Sequence, residues 1–311
     1  MAQTALCRRV AVVLSTAAIA LISCAGPSPS VDASSGDDAR TIDVDGVRIH
    51  YFDFNRGATG TPILWIHGYA GTGFEASFIV DALGPAPRLI APDLPGSGLS
   101  DKPPVDYTLD YYVDSVRAFA RALDLDEYVL VGHSMGGMIA ATIAADDDTA
   151  VARLVLIAPY GLPGQAGPFL EVLSHAGPIV DAGMQLYPEP LLGLLLRINV
   201  FHDPDRIPDD LVDYYTLSIF HTDHAREALA STTQHTIARS LDPTVLSSIS
   251  LPTMILWGDQ DRVLRPFYGA TFQTRIAGSR LELVADAGHV PHVEQPEATA
   301  RLINDFLQTT W

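Results

Sequence analysis

Cysteine is missing from all but the first two dozen positions. The two present, Cys7 and Cys24, precede the rest of a 311-residue chain. The body therefore has no disulfide framework, no thiolate metal site and no cysteine nucleophile. Lysine is almost missing as well. Lys102 is the only one among 19 cationic side chains, and it sits in a proline-rich turn, Asp101-Lys102-Pro103-Pro104. Schiff-base chemistry with pyridoxal phosphate or an aldol substrate is thus left without a buried lysine. Positive charge as a whole is scarce: 37 acidic residues against those 19 cations give a net charge of −18. Such a surface repels phosphate-rich polymers, so nucleic acid is not a partner. Glycine and proline recur without a period and no heptad run is present, which excludes collagen-like and coiled-coil architectures. What is abundant is apolar: 48% of residues are hydrophobic, too many for a disordered chain and enough for a sizeable core in one large or two modest domains.

The N-terminus reads as an address. Arg8-Arg9 is followed by an apolar run over residues 10–22, shorter than the roughly 20 residues that a membrane-spanning helix needs. Basic residues ahead of a short apolar stretch are the pattern of a secretory signal. The stretch ends Leu21-Ile22-Ser23-Cys24, which resembles the bacterial lipobox. That resemblance implies a lipoprotein-type signal peptide over residues 1–23 and Cys24 as the lipidated first residue. The protein would then be exported to the cell envelope and held to a membrane by acyl chains. An ordinary signal peptide and a secreted soluble protein are the alternative, and mass spectrometry of the mature N-terminus separates the two. Residues 24–40, rich in Pro, Ser, Gly and Asp, form a solvated tether.

From residue 41 the pattern changes. Alternation around Asp45-Gly46 predicts an opening β-hairpin. Short apolar runs follow at residues 62–66 (PILWI), 88–92 (RLIAP), 128–131 (YVLV), 153–158 (RLVLIA), 253–257 (TMILW) and 280–284 (RLELV). Runs of this kind suit parallel strands covered on both faces. Helical patterns lie between them, for example over 109–123 and 135–145, so the expected architecture is an α/β doubly wound sheet. The alternation breaks between residues 161 and 250, a helical, apolar stretch interrupted by prolines. A gap that long between strands reads as an inserted helical cap. The domain plan is a core over 41–160 and 251–311 with the cap at 161–250. Oligomeric state is not legible.

The strongest chemical signal is Gly132-His133-Ser134-Met135-Gly136-Gly137. It fits G-x-S-x-G directly after a strand and directly before a helix, the context the motif requires. A strand turning into a helix at one residue holds Ser134 in strained dihedrals and presents its Oγ at a helix N-terminus, where developing negative charge is favoured. Side chains two residues to either side would collide across the turn, hence the glycines. A nucleophilic serine needs a base. His289 follows the strand RLELV and a small turn, next to Gly288, and opens the pattern Gly-His-x-x-x-x-Glu-x-Pro; it is the choice over His292, which is expected at the surface or rim. An orienting carboxylate is offered by Trp257-Gly258-Asp259-Gln260-Asp261, where either aspartate serves. Oxyanion donors are expected at the N–H of Met135 and at the N–H of Tyr69 in the loop His67-Gly68-Tyr69-Ala70-Gly71. His67 is read as shaping that loop. The histidines of His221-Thr222-Asp223-His224 are read as surface residues, with no metal expected.

These residues together are similar to the α/β-hydrolase superfamily, in the branch that bears a helical cap. Asp93-Leu94-Pro95-Gly96-Ser97-Gly98-Leu99-Ser100 also matches its D-x-x-G-x-G-x-S segment. The resemblance implies a mostly parallel eight-stranded sheet flanked by helices. It places the acid three residues beyond Gly258, at Asp261, and gives the chain order Ser134, Asp261, His289. The implied function is a cofactor-free serine hydrolase of carboxylic esters, lipase- or esterase-like, acting on a small-molecule or lipid ester. Cap residues Phe169, Leu170, Leu173, 191–196 and Phe201 either line a pocket for medium or long acyl chains or pack the cap on itself. The same branch holds C–C bond hydrolases, perhydrolases and proline iminopeptidases. The non-enzymatic alternative is a lipoprotein that binds hydrophobic ligands. Epoxide hydrolases and haloalkane dehalogenases carry aspartate as nucleophile, and Ser134 excludes them.

Overall fold

A computed structural model of the chain describes residues 38–146, 150–165 and 189–309. The expected signal peptide, Cys7 and Cys24 lie outside the described residues, as do Phe169, Leu170 and Leu173. Eight strands form one sheet: β1 (Ala39–Val44), β2 (Val47–Phe54), β3 (Ile63–Ile66), β4 (Leu89–Pro92), β5 (Tyr128–His133), β6 (Val151–Ile157), β7 (Thr253–Gly258) and β8 (Arg280–Val284). Their spatial order is β1-β2-β4-β3-β5-β6-β7-β8. The β1–β2 and β2–β4 pairs are antiparallel and every other pair is parallel. The expected mostly parallel α/β-hydrolase sheet is what folds. The hairpin starts two residues earlier than its alternation suggested. Its second strand runs on to Phe54, where His50 to Phe54 are all buried between neighbours on both sides.

The apolar runs work as parallel strands because successive residues serve opposite faces. Leu64, Ile66, Leu130, Leu154, Leu156 and Ile255 face one side, against Val113, Val116 and Phe119 of α2 (Leu109–Ala122) and Met138, Ile139 and Ile143 of α3 (Met135–Ala145). Ile63, Trp65, Val129, Val131, Val155 and Leu256 face the other, against Ile79 and Leu83 of α1 (Ser77–Leu83) and Ile303 and Phe306 of α10 (Pro296–Gln308). Helix α2 starts where Thr108 caps it, its side chain accepting the N–H of Tyr111 at 3.1 Å. The strand order reverses between β3 and β5, and loops at the carboxyl ends of strands flanking such a switch point form the crevice of an open α/β sheet. The loops carrying Tyr69 and Ser134 leave β3 and β5 there.

Between β6 and β7 the described residues 189–249 are helical: α4 (Pro190–Leu195), α5 (Asp209–Phe220), α6 (Ala225–Thr232) and α7 (Pro243–Ser248). This segment, the described part of the stretch 161–250 expected as a cap, is tied to the core by buried polar bonds. Tyr214 donates to Asp93 at 3.3 Å, Tyr215 to Glu75 at 2.7 Å, and Tyr112 pairs with Thr232 at 2.8 Å. Phe201 and Leu196 are buried with Leu211, Tyr215, Val290 and Val293, so these two pack the cap onto the core; Leu194 is 45% exposed and faces outward. Helices α8 (Tyr268–Arg275) and α9 (Pro291–Glu294) complete the described set.

Candidate active site

Ser134 stands between β5 and α3 with φ 53° and ψ −116°. A non-glycine residue at such dihedrals costs on the order of 1–3 kcal/mol and persists only where the surroundings over-determine it. Here the backbone is held at both ends. Ser134 N–H donates to Ile157 O at 2.9 Å, and its carbonyl accepts the N–H groups of Gly137 and Tyr160, each at 2.9 Å. The two motif glycines are needed for a reason that differs from the expected side-chain collision. A Cβ on Gly132 would lie 2.6 Å from the carbonyl carbon of Gly136, and one on Gly136 would lie 2.5 Å from His67 O. The elbow is pressed against its own backbone and against the end of β3.

Three residues from separate loops meet at this turn. His289 Nε2 lies 3.0 Å from Ser134 Oγ, and His289 Nδ1 lies 2.8 Å from Asp261 Oδ2. Asp261 Oδ1 accepts the N–H groups of Val263 at 2.8 Å and Leu264 at 2.9 Å, and Oδ2 also accepts Trp257 Nε1–H at 3.1 Å. A carboxylate ringed by donors accepts from His289 Nδ1–H and so leaves the Nε2 lone pair for the serine proton. All three residues are buried to below a tenth of their surface. Of the two aspartates at the end of β7, Asp261, the one the resemblance implies, is the one at His289. Asp259 lies in the turn, its N–H on Val284 O at 3.0 Å and its buried Oδ1 without a partner among the described residues.

Met135 N–H is the first amide of α3, one of those a helix cannot satisfy from within. The loop after β3 runs close by, since a Cβ on Gly68 would be 3.1 Å from Ser134 Cβ. The Tyr69 side chain turns to the cap, its hydroxyl 2.7 Å from Thr233 Oγ1, and burial pushes the phenol up to about 12. His67 shapes the loop as expected. Its Nδ1–H donates to Gly68 O at 2.8 Å and its Nε2 accepts Leu94 N–H at 3.0 Å. Burial lowers its basicity, so the ring stays neutral in this one tautomer.

His292 corrects the sequence reading. It is completely buried, not at the rim, and donates from Nε2 to Glu75 Oε2 at 3.3 Å. Glu75 Oε1 accepts Tyr215 OH at 2.7 Å and Thr72 N–H at 3.3 Å. His133 Nδ1 lies 3.4 Å from Glu75 Oε2, while its Nε2–H donates to the backbone carbonyl of His289 at 2.9 Å. A buried carboxylate is thus seated under the Ser134 elbow. The T-x-x-E spacing of Thr72 and Glu75, half of a helix-capping pattern, was the only local sign of it. Partners from α9 and the elbow are more than fifty residues away. Glu75, His133 and His292 hold metal-type donor atoms within 4.8 Å of one another. Glu75 is nevertheless filled by N–H and O–H donors from the protein. The run at His221 to His224 forms no such group among the described residues; His221 pairs with Glu189 at 3.4 Å.

Burial works to raise the Glu75 carboxyl, but the neighbouring His133 and His292 outweigh it and hold the group well below the usual range. Burial lowers His292 to about 4. An unfolded His292 takes a proton near pH 6.5 that the folded one refuses until about pH 4, so the unfolded chain binds more protons in that window. Stability is therefore expected to fall as pH drops from about 6.5 to about 4, with Glu75 adding to the loss below its unfolded value. His292→Gln keeps the donor to Glu75 and removes the titration. Urea midpoints measured across this range should flatten in the variant, and an unchanged slope would contradict the assignment.

A chain with this sheet, an elbow serine and a histidine–aspartate pair at the strand ends has the make-up of a hydrolase. The chain belongs to the alpha/beta hydrolase family, whose model matches residues 63–302. It is 29% identical over 290 residues to monoacylglycerol lipase ABHD6 of Homo sapiens, covering 86% of this chain and 83% of that protein. It is 28% identical over 284 residues to 2-hydroxymuconate semialdehyde hydrolase of Pseudomonas sp. (strain CF600), covering 88% and 95%. Among solved structures it is similar to a membrane phospholipase A described as a bacterial virulence factor, with TM-score 0.69, 28% identity, and 86% and 85% of the two chains covered.

Proposed function

We propose that the protein hydrolyses carboxylic esters through a covalent acyl-enzyme. The observation that carries this reading is the continuous path from Ser134 Oγ through the two ring nitrogens of His289 to Asp261 Oδ2, at 3.0 and 2.8 Å. Ser134 Oγ attacks the substrate carbonyl while His289 Nε2 takes its proton, and Asp261 stabilises the imidazolium. The N–H groups of Met135 and Tyr69 bind the oxyanion. The tetrahedral intermediate then expels the alcohol, which receives the proton from His289. A water molecule next adds to the acyl carbon, giving its proton to His289 Nε2. Collapse of this second intermediate breaks the bond to Ser134, returns that proton to Oγ and frees the acid. No cofactor enters any step.

Two relatives support an acyl ester as substrate, since a monoacylglycerol lipase and a phospholipase A both act on lipid esters. Medium or long acyl chains are the preferred class. A series of p-nitrophenyl esters from acetate to palmitate tests it, with turnover expected to peak beyond butyrate; a flat profile would remove the chain-length preference. The second reading, C–C bond hydrolysis, is favoured by the likeness to 2-hydroxymuconate semialdehyde hydrolase. Turnover of a ring-cleavage dienol with none of the esters would install it in place of the first.

A further inference from the structure

The Glu294 of the Gly-His-x-x-x-x-Glu-x-Pro pattern takes no part in the chemistry above, yet it is buried beside the catalytic histidine. Its two oxygens serve different segments. Oε1 accepts the N–H of Gly288, the residue before His289, at 2.6 Å. Oε2 accepts the N–H groups of His202 at 2.7 Å and Asp203 at 3.2 Å, both in the cap. The Glu294 backbone carbonyl takes a further cap contact, from Arg206 Nη1 at 3.0 Å. Around this bridge the His289 backbone is held on both sides. Its N–H donates to Val200 O in the cap at 2.7 Å, and its carbonyl accepts from His133 of the elbow at 2.9 Å. No slack is left between the segments, since a Cβ on Gly288 would lie 2.7 Å from His202 N and 2.9 Å from Glu294 Oε1. Phe201 is buried against Val290 and Val293 next to them.

A carboxylate that accepts three backbone N–H groups from two segments couples their positions, because moving either one strands buried donors. We propose that Glu294 is a positioning residue for His289, a bridge that locks the catalytic-histidine loop to residues 200–203, so that this edge of the cap is a wall of the active site and not a lid. The kinetic half of this proposal rests on the ester-hydrolase reading; the structural half does not.

The test is Glu294→Gln in the full chain. Glutamine keeps the shape, but its amide nitrogen cannot accept an N–H, so one side of the bridge is lost. Hydrogen exchange is expected to quicken in peptides covering residues 200–203 and 286–290. Displacing a catalytic group by a fraction of an ångström lowers kcat, here for p-nitrophenyl butyrate, by roughly 10- to 100-fold. KM should stay within about threefold, the signature of an interaction that matters in the transition state. The rate of Ser134 labelling by a fluorophosphonate should fall with kcat. A merely structural residue would lower the melting temperature and leave kcat of the folded protein alone. If Glu294→Gln does not fold, His202→Pro removes the shorter of the two cap-side donors to Oε2, leaving that of Asp203, and is expected to shift exchange and kcat in the same direction. Unchanged exchange at residues 200–203, or faster exchange with wild-type kcat, would overturn the proposal. If wild type neither turns over esters nor reacts with the fluorophosphonate, the ester reading fails, and exchange alone then decides whether the bridge exists.

Discussion

Ser134→Ala is expected to reduce ester turnover by about five orders of magnitude or more while leaving the fold intact, the scale seen when a serine nucleophile is removed from a triad. Among the described residues the hydroxyl bonds only to His289, and the elbow is held by the backbone groups of Ser134, which alanine retains. The melting temperature should therefore stay within a degree or two of wild type, the effect of a surface-scale change. Fluorophosphonate labelling should vanish with activity. Equal ester turnover by the two proteins would eliminate Ser134 as nucleophile and the mechanism built on it.

Asp261→Asn is expected to cost about four orders of magnitude in kcat, the scale of a wrong histidine tautomer. The physical reason lies in the donors around the carboxylate. Oδ1 faces two backbone N–H groups and Oδ2 faces His289 and Trp257. An asparagine must turn its NH2 to one side. Turned to Val263 and Leu264 it meets donors with a donor, which opens the turn. Turned to His289 it makes Nδ1 an acceptor and moves the ring proton to Nε2, where it faces Ser134 and can no longer take a proton from it. The variant should recover part of its activity at high pH, where hydroxide can take the serine proton in place of His289. Activity within tenfold of wild type at neutral pH would show that the carboxylate does not set the tautomer.

Much of the fold was legible because its signals are local. Each apolar run, four to six residues long and bounded by turn residues, became a strand, and the helices at 109–122 and 135–145 fall within one residue of the expected 109–123 and 135–145. The elbow was legible for the same reason: a strand, Gly132, Ser134, Gly136 and a helix are consecutive. His292 was misread because its environment is assembled from Glu75, Trp65 and His133, none of them near it in sequence. Glu75 was missed altogether, since the T-x-x-E spacing it shares with Thr72 signals a helix start and not the partners His292, His133 and Tyr215 that bury it.

The strand–turn–helix elbow at Ser134, the local patterns around Asp261 and His289 and the alternation that builds a parallel sheet were determined by the sequence alone. They depend on neighbours a few positions apart, where sterics and periodicity act directly. That His292 is the fully buried histidine, that Glu75 lies beneath Ser134, and that Glu294 bonds both Gly288 and residues 202–203 were decided only by the tertiary structure. Those choices turn on whether a polar atom taken out of water finds a partner, and here the partners come from segments that only the folded sheet brings together.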